Sequence, residues 1–228
     1  LMEKELKYLV KTMNNPLQPC AVILGGAKIG DKIELIHNMV EKSDTIIIGG
    51  AMAFTFLKVQ GKNVGSSLID EENLEVAENI LSLSEKSNTN LVLPVDVVAS
   101  PELSHDTPCR VAKLEELNDD EAGYDIGPET TMNFELLLSG NKTIVWNGPM
   151  GVFEIPAFST GTQAIASAVR DQTEEGAVSI IGGGDTASAL KNYGITDGFT
   201  HISTGGGASL QLMCGKQLPA LESLNEYV

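Results

Sequence analysis

Short unbroken apolar runs alternate along this chain with stretches whose apolar residues recur every three or four positions. The runs Cys20–Leu24, Thr45–Ile48, Thr143–Trp146 and Ala177–Ile181 predict strands buried on both faces, with His201–Ser203 a last short one. Leu91–Ala99 predicts a further strand, interrupted by Pro94. Helical spacing puts Leu6, Leu9 and Val10 on one face of an amphipathic helix over Leu1–Met13. The same spacing puts Ile33, Ile36, Met39 and Val40 on one face of Asp31–Lys42. Helices are also predicted over Ala51–Val59, Glu71–Lys86, Thr130–Ser139, Gly161–Asp171 and Thr186–Tyr193. Ala51–Val59 is apolar enough to be buried on more than one side. The prolines and scattered polar residues of Ser100–Asn118 predict an irregular surface excursion, and Asp125–Glu129 (DIGPE) a tight turn before a helix. About six strands alternating with helices predict an α/β fold, a doubly wound, Rossmann-like parallel sheet with helices on both faces.

Glycine-rich turns close several of these strands. They read VILGGAK (Val22–Lys28), SIIGGGDT (Ser179–Thr186) and HISTGGGAS (His201–Ser209), each followed by a helix-competent segment. A strand breaking into glycines and then a helix presents backbone N–H groups and a positive helix end to one spot. Three such turns predict a polyphosphate lying across the carboxyl edge of the sheet.

At 228 residues the chain suffices for one large α/β domain. Its formal charge of −16 argues against nucleic acid as a partner. A nest of N–H groups, two lysines and a metal can nevertheless bind an anion within an acidic protein. No apolar run is long enough to span a membrane, and the start at Leu1 reads as internal. Cys20, Cys109 and Cys214 lie far apart without a CxxC, which predicts a reducing, cytoplasmic setting and no zinc site.

Gly25-Gly26-Ala27-Lys28-Ile29-Gly30-Asp31-Lys32 approaches a Walker A loop but lacks its Lys-Ser/Thr ending. Two lysines four apart remain, and a helical first turn would set both on one side. Gly182-Gly183-Gly184-Asp185-Thr186-Ala187 matches the dinucleotide pattern, yet no acidic residue follows about twenty positions on to hold a ribose. NAD is disfavoured on that ground. Asp185 fits a magnesium partner, since phosphate-bound Mg²⁺ takes one or two protein carboxylates. Thr186 is placed either to donate to a phosphate or simply to start a helix. Gly205, Gly206 and Gly207 open another helix whose N–H groups suit the equatorial oxygens of a phosphoryl group in transfer. In Trp146–Glu154, Trp146 reads as core and Asn147 reaches toward phosphate; Glu154 is either a ribose acceptor or a surface carboxylate. His37, His105 and His201 share no metal spacing.

Taken in order, LMEKELKYL, GGAKIGDKI, GGAMAFTFL, LPVDVV, DIGPET, WNGPMGVFE, IGGGDTASAL, HISTGGGASL and GKQLPAL resemble the C-terminal, nucleotide-binding half of the phosphoglycerate kinase family over essentially the whole chain. The resemblance implies that residues 1–13 form an interdomain hinge helix and that the family's N-terminal, phosphoglycerate-binding half is absent. It implies that Lys28 and Lys32 bind phosphate, Lys32 next to the transferred group. Gly25, Gly26 and Ala27 would lie by the nucleotide, Gly49 and Gly50 near the adenine, and Gly123 and Tyr124 across the adenine slot. Asn147, Pro149 and Glu154 would contact phosphate and ribose, and Gly182, Gly183 and Gly184 the nucleotide. Asp185 would meet Mg²⁺, Thr186 a phosphate, and Gly205–Gly207 the phosphoryl in flight. Two departures touch the adenine slot: Ala51 stands where the family has a third glycine, and Tyr124 where it is commonly aliphatic. With Arg110 and Arg170 the only arginines, no cluster replaces the missing phosphoglycerate site. The implied partners are ADP or ATP with Mg²⁺, and 3-phosphoglycerate or 1,3-bisphosphoglycerate only with the absent half, in a cytoplasmic monomer. A non-catalytic nucleotide-binding module is the alternative.

Overall fold

The computed structural model describes residues 8–9, 12–203 and 205–215. A parallel sheet of six strands runs through its centre in the order β3-β2-β1-β7-β8-β9. These are β1 (Cys20–Leu24), β2 (Thr45–Ile48), β3 (Asn90–Val92), β7 (Thr143–Asn147), β8 (Val178–Gly182) and β9 (His201–Ile202). Beside it stands an antiparallel sheet of β4 (Asp96–Ser100), β5 (Arg110–Lys113) and β6 (Ala122–Ile126), in the order β5-β4-β6. The helices are α1 (Ile33–Met39), α2 (Met52–Val59), α3 (Leu74–Ser87), α4 (Pro128–Leu138), α5 (Thr160–Glu174), α6 (Gly184–Asn192) and α7 (Gly207–Met213).

The continuous apolar strands work because both faces of the main sheet are covered. Val22, Ile46, Val145 and Ile180 are neighbours across it and all enter one core, with α1, α2, α3 and part of α7. One residue further along, Ile23, Ile47, Trp146 and Ile181 enter the other core, with α4, α5 and α6. Each such side chain, fully buried, contributes about 1.5–3 kcal/mol. The doubly wound prediction therefore holds, and the strand order reverses between β1 and β7. That reversal opens a crevice at their carboxyl ends.

Leu91–Ala99 is not one interrupted strand. Its first part is β3 in the parallel sheet and its last part β4 in the antiparallel one, with Pro94 between them. Ser100–Asn118 is not wholly irregular either, since it contains β5. Asp125 and Ile126, expected in a tight turn, end β6 instead. α1 also begins later than expected, after a short 3₁₀ turn at Gly30–Lys32. The expected Leu1–Met13 helix lies largely outside the described residues, although Leu9 and Met13 are buried in the first core.

Met52–Leu57 of α2 are all buried because the helix lies between the two sheets, and only Lys58 at its end is exposed. Ala53 and Phe56 face the main sheet, while Phe54 and Leu57 pack with Val97, Ala99 and Ala112 of the small one. The small sheet is also tied to α4. Buried Asp96 on β4 accepts the amides of Thr130 (2.7 Å) and Glu129 (3.1 Å) and the Thr130 hydroxyl (2.6 Å). A helix start carries unpaired N–H groups, and this carboxyl caps them from another element. Asp96→Ala should therefore lower the unfolding free energy by about 1–2 kcal/mol, read as a shifted urea midpoint at unchanged slope.

Candidate functional site

The loops leaving β1, β2 and β7 are joined by main-chain bonds. Gly25 donates its N–H to the Asn147 carbonyl (3.0 Å), Gly26 to that of Pro149 (2.9 Å) and Gly50 to that of Met150 (3.0 Å). Met52 in turn donates to the Gly26 carbonyl at 3.0 Å. A Cβ on Gly25 would overlap the Pro149 carbonyl oxygen, and one on Gly148 the Gly25 carbonyl. The N–H groups of Gly25, Gly26, Gly49 and Gly50 are thus engaged within the protein. Glycine is required there for loop-to-loop approach, not for an open anion nest. Trp146 is core, as expected, and its indole N–H also holds the Gly148 carbonyl at 2.8 Å.

Above this seam lies a cleft of about 310 Å³. Gly26, Ala27, Gly50 and Ala51 form its floor, Gly123 and Tyr124 of β6 one wall, and Pro149 with Gly151–Glu154 another. Asp185 stands at the end reached by α6. The volume is at the lower end of what small-ligand pockets occupy. Tyr124 leans on Phe158, ring centroids 5.0 Å apart, and Gly123 must be glycine because a Cβ would run into the Phe54 ring. Glu154 is exposed on the rim.

Neither Lys32 nor Asn147 lines the cleft, but Lys32 lies near enough to Asp185 to feel its charge. Its ammonium donates to Asn147 Oδ1 at 2.7 Å, joining the β1 and β7 loops across the switch point. Burial pushes the Lys32 ammonium below the usual lysine range, against the pull of Asp31 and Asp185. Asn147 is buried, and with Oδ1 occupied its Nδ2 has no partner among the described residues and lies beside the Gly182–Gly183 turn. Thr186 is also buried, and its hydroxyl accepts the Gly148 N–H at 2.8 Å. Gly183, at positive φ, precedes α6, whose first turn has no side-chain cap. Among the described residues, nothing beyond its neighbours and its own helix backbone lies within 4 Å of a Cβ built on Gly184, so packing against the rest of the described structure does not demand glycine there.

Lys28 is exposed and lies before the 3₁₀ turn, so the two lysines do not share a helical turn. Gly205–Gly207 lie after β9, three strands from β1 in the sheet order and so roughly 14 Å away along the edge. They do not line the cleft. Gly206 and Gly207 again have open space where a Cβ would stand. Gly49 and Gly25 support the floor from beneath without lining it.

Sequence reasoning missed Leu68 and Leu103, which line the cleft while 56% and 52% exposed. Each is a large apolar side chain within a polar loop, a weak signal that single exposed leucines usually fail to justify. Gly151, Val152 and Phe153 lay inside a segment singled out for other residues.

Among known proteins, the phosphoglycerate kinase family model matches residues 1–216. A phosphoglycerate kinase of Chlorobium phaeobacteroides is 48% identical over 226 residues, covering 99% of this chain and 57% of that protein. One of Thermosipho africanus is 49% identical over 225 residues, covering 98% and 56% respectively. The solved structure of phosphoglycerate kinase from Coxiella burnetii superposes with a TM-score of 0.94 at 42% identity, over 100% of this chain and 58% of that one. That from Pyrococcus horikoshii gives 0.84 at 31% identity, over 99% and 56%. The chain thus spans a little over half the length of the relatives it matches, and throughout that span sequence and fold agree: it belongs to the phosphoglycerate kinase family.

Proposed function

We propose that this chain is the nucleotide-binding, C-terminal half of a phosphoglycerate kinase, holding ADP or ATP with Mg²⁺. The observation that carries this reading is the cleft at the switch point, apolar and glycine-floored, with Asp185 at one end and the Lys32–Asn147 pair outside its lining but close enough for Asp185 to act on Lys32. The flat apolar end suits a base, with Tyr124, Leu68 and Leu103 around it. The uncapped start of α6 offers donors to phosphates, and the half-buried Lys32 offers a cation near Asp185. Gly205–Gly207, further along the same sheet edge, would meet the phosphoryl group at the far end of the nucleotide.

The donor set fits Mg²⁺. Among the described residues no group of three or more His, Cys, Asp or Glu could hold a metal alone. Two carboxylates line the cleft, Glu154 on the rim and Asp185 in the first turn of α6, and Asp185 is the one whose charge acts on Lys32. Mg²⁺ bound through one carboxylate, water and phosphate oxygens needs no more. It would neutralise phosphate charge.

In the proposed reaction, a β-phosphate oxygen of ADP forms a bond to the acyl phosphate of 1,3-bisphosphoglycerate. The bond to the carboxyl oxygen breaks, leaving ATP and 3-phosphoglycerate. The protein's part is positioning and charge stabilisation, with no covalent nucleophile. The three-carbon acid would be held by the other half of the enzyme, in a cytoplasmic setting. The second reading, a module that binds nucleotide without catalysis, shares the cleft and differs only in turnover.

Calorimetry should show saturable binding of Mg·ADP and Mg·ATP to this chain. Absence of heat at millimolar nucleotide would overturn the reading. Asp185→Asn should weaken binding in the presence of magnesium by about tenfold while changing metal-free binding far less. Equal loss with and without magnesium would make Asp185 structural. A coupled assay of this chain with 1,3-bisphosphoglycerate should show turnover far below the usual kinase range of about 1–100 per second. The reason is that an unheld second substrate forgoes an advantage that reaches roughly 7–11 kcal/mol. Turnover within tenfold of that range would place the acid site within these residues.

A further inference from the structure

Asp125 follows the cleft-lining Tyr124 on β6 and is itself buried. Its Oδ2 accepts the Gly161 N–H at 2.7 Å, and its Oδ1 accepts the Ile126 N–H at 2.9 Å. Gly161 lies in the first turn of α5, so the carboxyl caps that helix from another element. The next residue, Thr162, accepts the N–H groups of Met150 (3.0 Å) and Gly151 (3.2 Å) through its hydroxyl oxygen. Val152 donates to the Tyr124 carbonyl at 2.9 Å. A Cβ on Gly151 or on Gly161 would overlap Asp125 Oδ1, so the carboxyl is wedged between the cleft wall and the helix start. A gap of about 10 Å³, lined by Gly50, Gly123, Tyr124, Asp125 and Met150, continues from the cleft residues down to it.

We infer that Asp125 is a positioning residue: without lining the cleft, it sets where the Met150–Glu154 wall stands by fixing the turn of α5 that holds this wall. What the wall then contacts rests on the nucleotide reading; the clamp itself does not.

Burial pushes the Asp125 carboxyl up to about 7, against its two N–H bonds. Tyr193, after α6, faces it, its own hydroxyl pushed to about 12 by burial and by the Asp125 charge, with Glu154 of the wall adding to this. Asp96 on neighbouring β4 is directed to α4 instead. The closed, folded state holds a proton that a hydrated Asp125 releases, from about 4 upward. Proton binding therefore favours the closed wall, and this contribution is lost as pH rises toward and through about 7.

The test is amide hydrogen exchange on the ligand-free chain between about pH 6 and pH 8, corrected for intrinsic rates. Protection at Met150, Gly151 and Gly161 should fall severalfold with rising pH in the native chain. Asp125→Asn, neutral but still able to accept from Gly161, should keep the wall protected and remove the pH dependence. Asp125→Ala, with no acceptor, should leave it unprotected at every pH while amides of β1 and β7 stay protected. A pH profile in Asp125→Asn matching the native one, or a protected wall in Asp125→Ala, would overturn the inference. In a second arm, the ratio of Mg·ADP affinities of Asp125→Asn and the native chain should rise by about threefold or more over the same range. If the native chain bound no nucleotide, the functional reading would fail while hydrogen exchange still decided the role of Asp125.

Discussion

The loops after β1 and β7 approach so closely that no side chain fits between them, and the rest of the site is built on that contact. The Gly25–Asn147, Gly26–Pro149 and Gly50–Met150 bonds are each worth about 0.5–1.5 kcal/mol net, modest beside a typical stability of 5–15 kcal/mol. Their importance is geometric. They place the floor of the cleft directly on the carboxyl ends of the strands and bring Lys32 within reach of Asn147. A methyl group at Gly25 or Gly148 would force the seam apart.

Around that seam the site divides by polarity. Toward the small sheet it is walled by Tyr124, Gly123 and isolated leucines; at the start of α6 it carries the exposed carboxylate of Asp185, near which, outside the lining, the half-buried Lys32 is held against the buried Asn147. A net charge of −16 does not prevent an anion site, because what acts at short range is the local arrangement of Lys32, Asn147 and the start of α6. The small sheet contributes beyond its wall. Two of its strands each send a buried carboxyl, Asp96 and Asp125, to the start of a helix that packs on the main sheet. In this way a sheet that shares no strand with the main one is registered against it.

Much of the fold was legible from the chain alone. Strands buried on both faces appear as unbroken apolar runs, and β1, β2, β7 and β8 were found within a residue or two of their ends. The family motifs pointed to Gly26, Ala27, Gly50, Gly123, Tyr124, Pro149, Glu154 and Asp185, which the fold gathers around one cleft. Leu68 and Leu103 stayed invisible because nothing local distinguishes a leucine that lines a pocket from one merely exposed. β5 and β6 were missed because Arg110–Lys113 and Ala122–Ile126 lack the apolar continuity of a doubly covered strand; they belong to a sheet with an open edge.

The sequence by itself determined the class of fold, the order of its main strands and helices, the places where strands break into glycine, and the family. Those properties follow from residue types within a few positions of one another. Only the tertiary structure decided that the first glycine turns join loops and do not present open N–H groups, and that Leu91–Ala99 divides between two sheets. It alone set Lys32 against Asn147, 115 positions away, and Asp125 against Gly161. Such pairings depend on which backbone carbonyls and carboxyls the packed cores bring within about 3 Å, a distance that no local pattern encodes.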